Sequence, residues 1–179
     1  DSCGAISKAA DASGVLALGS STGTDCTIPA GGGGAGNTHA ARTQFYNVNR
    51  IKEVARGWLP SNTWLTAQVT ANVNLNQTCN AYWNGSSVNM FNSGGGCRNS
   101  VELPTVVLHE VVHGLDTNDG NSSADKGTGE SYGDTMGFLM THDSCMGTGF
   151  FSDGSKCSGY GDACTTCTGI RDVDYAKHT

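Results

Sequence analysis

An α+β fold is predicted by three observations. From Asn37 to Trp58, apolar residues recur at helical spacing (Ala41, Phe45, Val48, Ile51, Ala55, Trp58). From Leu65 to Leu75 they alternate with polar residues, the period of a half-buried strand. From Pro104 to Met140, two apolar stretches of helical length carry a His-Glu-x-x-His pattern and a Glu-x-x-x-Asp pattern. The predicted order is a helix, a small sheet, then two helices closing over the sheet's lower edge.

Four regions follow within one domain. Residues 1–36 are loop-rich, with a short apolar piece at Val15 to Leu18 and the flexible run Gly31 to Gly34. Residues 37–100 hold the first helix, for which Thr38 is a suitable cap, and the sheet. Within them Asn80 to Phe91 reads as edge strand and turn. Residues 101–142 hold the two later helices, and residues 143–179 form a cysteine-rich tail. No internal repeat is present.

Composition explains why such a chain needs staples. Its 179 residues can bury a core, yet 26 glycines and 37% apolar residues imply many loops. Eight cysteines, an even number, imply an oxidising compartment and a disulfide framework. Pairing by neighbours gives Cys3–Cys26, Cys79–Cys97, Cys145–Cys157 and Cys164–Cys167. Read as redox or zinc-ribbon ligands, Cys164 and Cys167 lack a second pair at the right spacing.

A net charge of -6 with no lysine or arginine cluster argues against nucleic acid. No run of eighteen apolar residues exists, so no membrane span is expected. The chain begins at Asp1 with no signal peptide, which for a disulfide protein leads us to expect a mature or excised form.

The chemistry lies in the third region. His109 and His113 are four residues apart, so a helix puts both on one face, able to turn imidazole nitrogens toward one ion. Glu110 stands beside them, placed to hold a water without ligating the ion. Pro104 suits a helix's first turn, Glu102 favours the positive end of the dipole, and Gly114 offers a stop. The apolar run Val106, Val107, Leu108, Val111 and Val112 buries the remaining sides. A catalytic zinc needs a third protein ligand and an open fourth position. Glu130 is the best candidate, at the start of a second helix beginning near Gly129. Asp134, one turn further on, can accept the outer N–H of a ligating histidine.

His-Glu-x-x-His followed by Glu-x-x-x-Asp resembles the signature of the glutamate-zinc peptidases, the thermolysin-like and fungalysin-like enzymes. Upstream, Asn80-Ala81-Tyr82-Trp83 is similar to the edge strand on which thermolysin-like enzymes lay the substrate backbone. Downstream, Gly169-Ile170-Arg171 is similar to the Gly-Ile-Arg of fungalysins, whose arginine reaches the substrate carbonyl beside the scissile bond. Gly-Glu-Ser-Tyr-Gly-Asp and the tail from Cys164 to Asp174 resemble large secreted bacterial proteins with a fungalysin-like core. The resemblance spans roughly Asn37 to Arg171, most of the chain. It implies a zincin-like fold, with an edge strand for substrate over a metal helix and a second ligand helix. It also implies a secreted zinc endopeptidase acting on protein or peptide. In that reading His109, His113 and Glu130 bind zinc, Glu110 is the general base, and Asp134 backs a histidine. Asn80 and Ala81 hold the substrate, and Arg171 positions its carbonyl.

Two departures stand out. Thermolysin-like enzymes carry an oxyanion-stabilising tyrosine between the second histidine and the glutamate, and no tyrosine lies between Gly114 and Gly129. They also carry a histidine well downstream of the arginine, where this chain offers only Tyr175 and His178, neither at the family spacing. Either His142 or Tyr132 serves, or further segments of a longer precursor do; the second is the expectation.

Between the two helices, Asp116, Asn118, Asp119 and Asn121 set oxygen ligands around Gly120, a pattern that suits calcium. It lacks the spacing and bidentate glutamate of an EF-hand, and a plain polar loop is the other reading. Asn76-Gln77-Thr78, Asn84-Gly85-Ser86 and Asn121-Ser122-Ser123 match glycan acceptors.

Two alternatives remain open. One is an aspartate-zinc peptidase with Asp116 or Asp134 as third ligand. The other is a zinc-stabilised module that binds protein or glycan without cleaving it.

Overall fold

The first helix, α1, runs His39–Trp58 and buries Ala40, Gln44, Asn47, Val48, Ile51, Lys52 and Ala55, one stripe at helical spacing. Trp58, expected on that stripe, is 54% exposed. A computed structural model describes residues 9–16, 39–155, 157 and 167–174. Thr38, the predicted cap, lies outside the described residues.

The strand expected from Leu65 begins later. Thr63–Leu65 is a 3-10 turn, started by the Asn62 side chain, which accepts the Trp64 N–H at 3.0 Å. That turn delivers Leu65 into a small apolar cluster with Ala55 and Leu115. Strand β1 spans Thr70–Leu75, and its alternation breaks where Val73 and Asn74 are both buried. Asn74 sits at φ 53° and accepts the Asn99 amide at 2.8 Å. That bond satisfies a polar side chain which the break in register drives inside.

Asn80 to Phe91 resolves into two strands, β2 (Ala81–Trp83) and β3 (Ser87–Phe91). Asn84 Oδ1 builds the turn between them by accepting the N–H groups of Ser86 and Ser87, with Gly85 at φ 94°. The sheet order is β1-β3-β2, with β1 parallel and β2 antiparallel to β3. Among the described residues β2 is therefore an edge, as expected, and α2 packs beside it.

Helix α2 spans Pro104–Asn118 and starts at the predicted proline. Val106, Val107, Leu108, Val111 and Val112 are each at most 5% exposed, so it forms the middle of the core. Each such burial is worth about 1.5–3 kcal/mol. Gly114 does not stop this helix. A Cβ there would lie 2.8 Å from the Trp64 ring and 3.3 Å from that of Trp83, so its role is close packing.

Helix α3 spans Lys126–Thr141 and starts before Gly129, because Asp125 caps it by accepting the Thr128 N–H at 2.8 Å. It ends at His142, in left-handed conformation, whose N–H bonds the Phe138 carbonyl. Gly133 and Gly137 let α3 approach α2 closely. A Cβ on Gly137 would lie 3.2 Å from the Thr105 carbonyl oxygen.

Beyond α3, β4 (Cys145–Met146) pairs antiparallel with β5 (Arg171–Asp172). The disulfides correct the neighbour rule here. Cys79–Cys97 forms as expected, but Cys145 bonds Cys167, so neither the expected Cys145–Cys157 pair nor the expected Cys164–Cys167 pair forms. Strand pairing brings Cys145 alongside the segment just before β5, and that proximity overrides closeness in sequence. Cys157 is also disulfide-bonded, to a partner outside the described residues. Cys3–Cys26 and Cys164 lie outside them as well. No helix of the described residues is long and apolar enough to cross a membrane.

Candidate metal centre

One helical turn sets His109 and His113 side by side on α2, with Nε2 atoms 2.9 Å apart and rings at 89°. From α3, Glu130 Oε2 comes within 3.2 Å of His109 Nε2, and Oε1 within 3.5 Å of His113 Nε2. These three ligand atoms lie within 4.8 Å of one another, the one such group of three among the described residues. Two imidazole nitrogens and a carboxylate oxygen facing one point can hold a metal ion. Glu130 is about half exposed and His109 buried, so the group stands at the floor of an open cleft.

Gly133 is what lets the helices meet around His109. A Cβ on it would stand 2.6 Å from His109 Nδ1. Glu130, Gly133 and Asp134 share one face of α3, offering in turn a carboxylate beside the two imidazoles, room for a ring, and a partner for that ring's outer nitrogen. Asp134 Oδ1 is 2.8 Å from His109 Nδ1, an ion-pair contact whose angle falls short of a directed hydrogen bond. The same carboxylate accepts Arg171 Nε and Nη2, each at 2.7 Å.

Charge follows this wiring. Burial lowers the His109 pKa, but the Asp134 and Glu130 carboxylates overcome it and raise it to about 9. Glu130 is held well below the usual carboxylate range by its contacts with His109 and His113. Glu110, 8% exposed, is pushed the other way by burial, against the pull of both histidines and a bond from the Trp83 backbone. Its carboxylate is outside the three-ligand group, yet it lines the same cleft. A buried carboxylate with a raised pKa beside a metal site is placed to exchange protons.

The cleft, about 330 Å³, also receives Asn80, Ala81 and Arg171, the three residues named from the edge strand and the tail. Arg171 arrives by β5: Ile170 N–H bonds the Met146 carbonyl at 2.7 Å, and the Cys145–Cys167 disulfide ties the same segment. Gly169 is required there, since a Cβ would collide with the Met146 carbonyl oxygen. Sequence reasoning missed the apolar wall of Val106, Met146, Phe150 and Ile170. Its parts come from three distant segments, and no local pattern joins them.

Other expected residues lie elsewhere. Tyr132 packs toward the Ala55–Leu65–Leu115 cluster, and His142 ends α3; neither lines the cleft. Asp116 accepts the Ser123 N–H at 3.0 Å and its hydroxyl at 2.8 Å, which closes the loop between the helices. Asp119 accepts the Asn121 N–H, and the Asn118 amide donates to the Gly114 carbonyl. These oxygens form local turns, and no three acidic groups converge there among the described residues. Tyr175 and His178 lie outside the described residues. In comparisons with known proteins, no family model and no curated protein matches this sequence.

Proposed function

We propose that this chain is a secreted, zinc-dependent endopeptidase with a zincin-like fold, hydrolysing protein or peptide substrates. The observation that carries the reading is Glu110. A group that only stored a structural metal would have no use for a buried carboxylate next to its histidines and outside the ligand set. The donors fit zinc: two histidine nitrogens, one carboxylate oxygen, a carboxylate behind one ring, and an open side toward the cleft.

A zinc ion bound there supplies Lewis acidity, bringing the pKa of water down to about 7. The chain's own residues do the rest. Glu110, kept basic by burial, takes the proton from the attacking water and returns it to the leaving amine. Asp134 holds the His109 ring in one orientation. Ala81 to Trp83 present an edge strand along the cleft, where an extended peptide can add its own backbone hydrogen bonds. Asn80 stands at the start of that edge, and Arg171 faces it beside the ligands.

Glutamate is favoured over aspartate as third ligand because Asp116 is engaged with Ser123 and Asp134 with His109 and Arg171. The disulfides fit an oxidising, extracellular setting.

The test is cleavage of an unstructured protein by wild type and Glu110→Gln, with zinc measured in both. Chelation should abolish wild-type cleavage and zinc should restore it. Glu110→Gln should keep the metal while turnover falls at least ~10²-fold. A wild type that binds zinc but never cleaves would make the non-catalytic module the better account.

A further inference from the structure

An asparagine followed by glycine can close on itself. The glycine nitrogen, with no Cβ to keep it away, attacks the side-chain amide carbon and expels ammonia. Asn84-Gly85 is the one such step in the chain, and it lies in the turn between β2 and β3. Residues 84–86 are all exposed. Gly85 has φ 94°, and a Cβ there would meet nothing within 4 Å, so water reaches the turn freely.

The hydrogen bonds of this amide differ from those elsewhere in the fold. Asn49, Asn62, Asn89 and Asn118 each donate Nδ2 to a carbonyl oxygen, which ties down the group that would leave. In Asn84 the bonds fall on the other atom. Its Oδ1 accepts the Ser87 N–H at 2.7 Å, the Ser86 N–H at 2.9 Å and the Ser86 hydroxyl at 3.1 Å. Among the described residues no bond holds Asn84 Nδ2 or the Gly85 N–H. Oδ1 is the atom that takes negative charge when a nucleophile adds to Cγ, so three donors on it lower that barrier.

We propose that Asn84-Gly85 is a self-modification site that converts to aspartate and isoaspartate without an enzyme, and that the isoaspartate form disables the edge strand. Gly85 N gives its proton to water and bonds Asn84 Cγ. The Cγ–Nδ2 bond breaks, and Nδ2 leaves as ammonia with a proton from solvent. Water then opens the five-membered imide. Opening at Cγ gives aspartate; opening at the backbone carbonyl gives isoaspartate, whose main chain runs through Cγ and is one carbon longer. A tight hairpin fixes register by the length of its turn, so the added carbon misaligns Trp83 with its partner Val88. The Trp83 N–H bonds the Glu110 carboxylate, and the Trp83 ring stands 6.1 Å from that of Trp64. Moving Trp83 unseats the strand and the base together. The chemistry at Asn84 stands apart from the hydrolytic reading above; only the loss of turnover rests on it.

The experiment ages zinc-loaded wild type in mildly alkaline buffer, using protein from a bacterial host so that no sugar occupies Asn84. Asn84→Ser, Ser86→Ala and Asn84→Asp run beside it, with a free peptide of the sequence from Tyr82 to Val88. Peptide mapping with isoaspartyl methyltransferase labelling follows each position. Position 84 should convert ahead of every other asparagine, and at least as fast as in the free peptide. Ser86→Ala should slow it ~3-fold or more, because one donor to Oδ1 is gone. Wild-type turnover should fall in step with the isoaspartate fraction while zinc content holds. Fresh Asn84→Asp, whose main chain keeps its normal length, should stay near wild-type turnover, and aged Asn84→Ser should outlast wild type. Conversion slower in the fold than in the peptide, or unchanged by Ser86→Ala, would overturn the proposal. So would aged Asn84→Ser losing turnover at the wild-type rate. A fresh wild type that never cleaves would instead sink the hydrolytic reading, and the mapping would still decide the modification.

Discussion

Helices α1 and α2 both bury polar side chains, and they spend them differently. In α1, Lys52 is 6% exposed, donates to the Ala67 carbonyl, and lies 5.1 Å from the centre of the Trp64 ring. Arg50 reaches the Met140 carbonyl and Arg56 the Leu65 carbonyl. Each of these three cations thus closes on a backbone group of a neighbouring segment and pins it. In α2, His109 and Glu110 are buried to a similar degree, 5% and 8% exposed, but they face a cleft and the acidic side chains of α3. Burial of a charge costs free energy in both helices. What separates a structural use from a functional one is whether the partner is backbone or open space.

The largest effect that would test this contrast is on the metal. Glu130→Gln should weaken zinc by more than the ~10–100-fold typical of losing an outer partner, while the melting temperature of the metal-free protein stays close to wild type. Competition with a chelator of known affinity checks it. Unchanged affinity would mean that the half-exposed glutamate is surface charge.

Gly133→Ala comes next. The added methyl meets the His109 ring, a rigid neighbour, so we expect both a fall of ~10-fold or more in zinc affinity and a loss of stability of about 1–3 kcal/mol. Chemical denaturation and metal titration on the same sample separate the two. A variant that loses stability yet binds zinc normally would show the ring shifts freely.

Protons sharpen the contrast further. In metal-free protein the His109 pKa is raised to about 9, above the unfolded value of about 6.5. Its contribution to stability is therefore complete below pH 6.5 and lost as pH rises through 9. Zinc needs the neutral ring, so uptake at pH 7.5 should release about one proton from this residue. Calorimetry in buffers of different ionisation enthalpy measures it, and Asp134→Asn should reduce the release.

Lys52 should behave in the opposite sense and with the smallest effect. Burial, with Arg56 nearby, lowers its pKa to about 8 from 10.5. Between those values the unfolded chain binds the extra proton, so stability rises with pH, by on the order of 2 kcal/mol. Zinc-loaded Lys52→Met should lack that rise and keep full zinc affinity. Altered zinc affinity would join the two helices that the comparison holds apart.

Much of the centre was legible because it is local. Four-residue spacing on a helix is a fixed geometric relation, so His109 with His113, and Glu130 with Asp134, could be paired before any fold was known. Pro104 marked the start of α2 for the same kind of reason. Gly114 misled, since a glycine near the end of an apolar helix reads as a stop until the Trp64 ring is seen against it. Leu65 misled because alternation looks alike in a strand and in a turn followed by a strand. The glycines around Glu130 were visible in the sequence, but that Gly133 makes room for the His109 ring was not.

The sequence by itself determined the histidine and glutamate donors of the candidate site, their helical phase, the carboxylate of Glu110 beside them and the need for disulfides. Each follows from the identity of residues a few positions apart, where backbone geometry leaves little choice. Tertiary structure alone decided that Arg171 meets Asp134 across 37 residues, that Cys145 bonds Cys167, and that Asn80 and Ala81 line the cleft. Contacts of that range depend on which segments the core brings together. Eight cysteines alone allow 105 pairings. The balance of burial and loop closure that selects among such arrangements is a property of the whole chain, written in no short stretch of it.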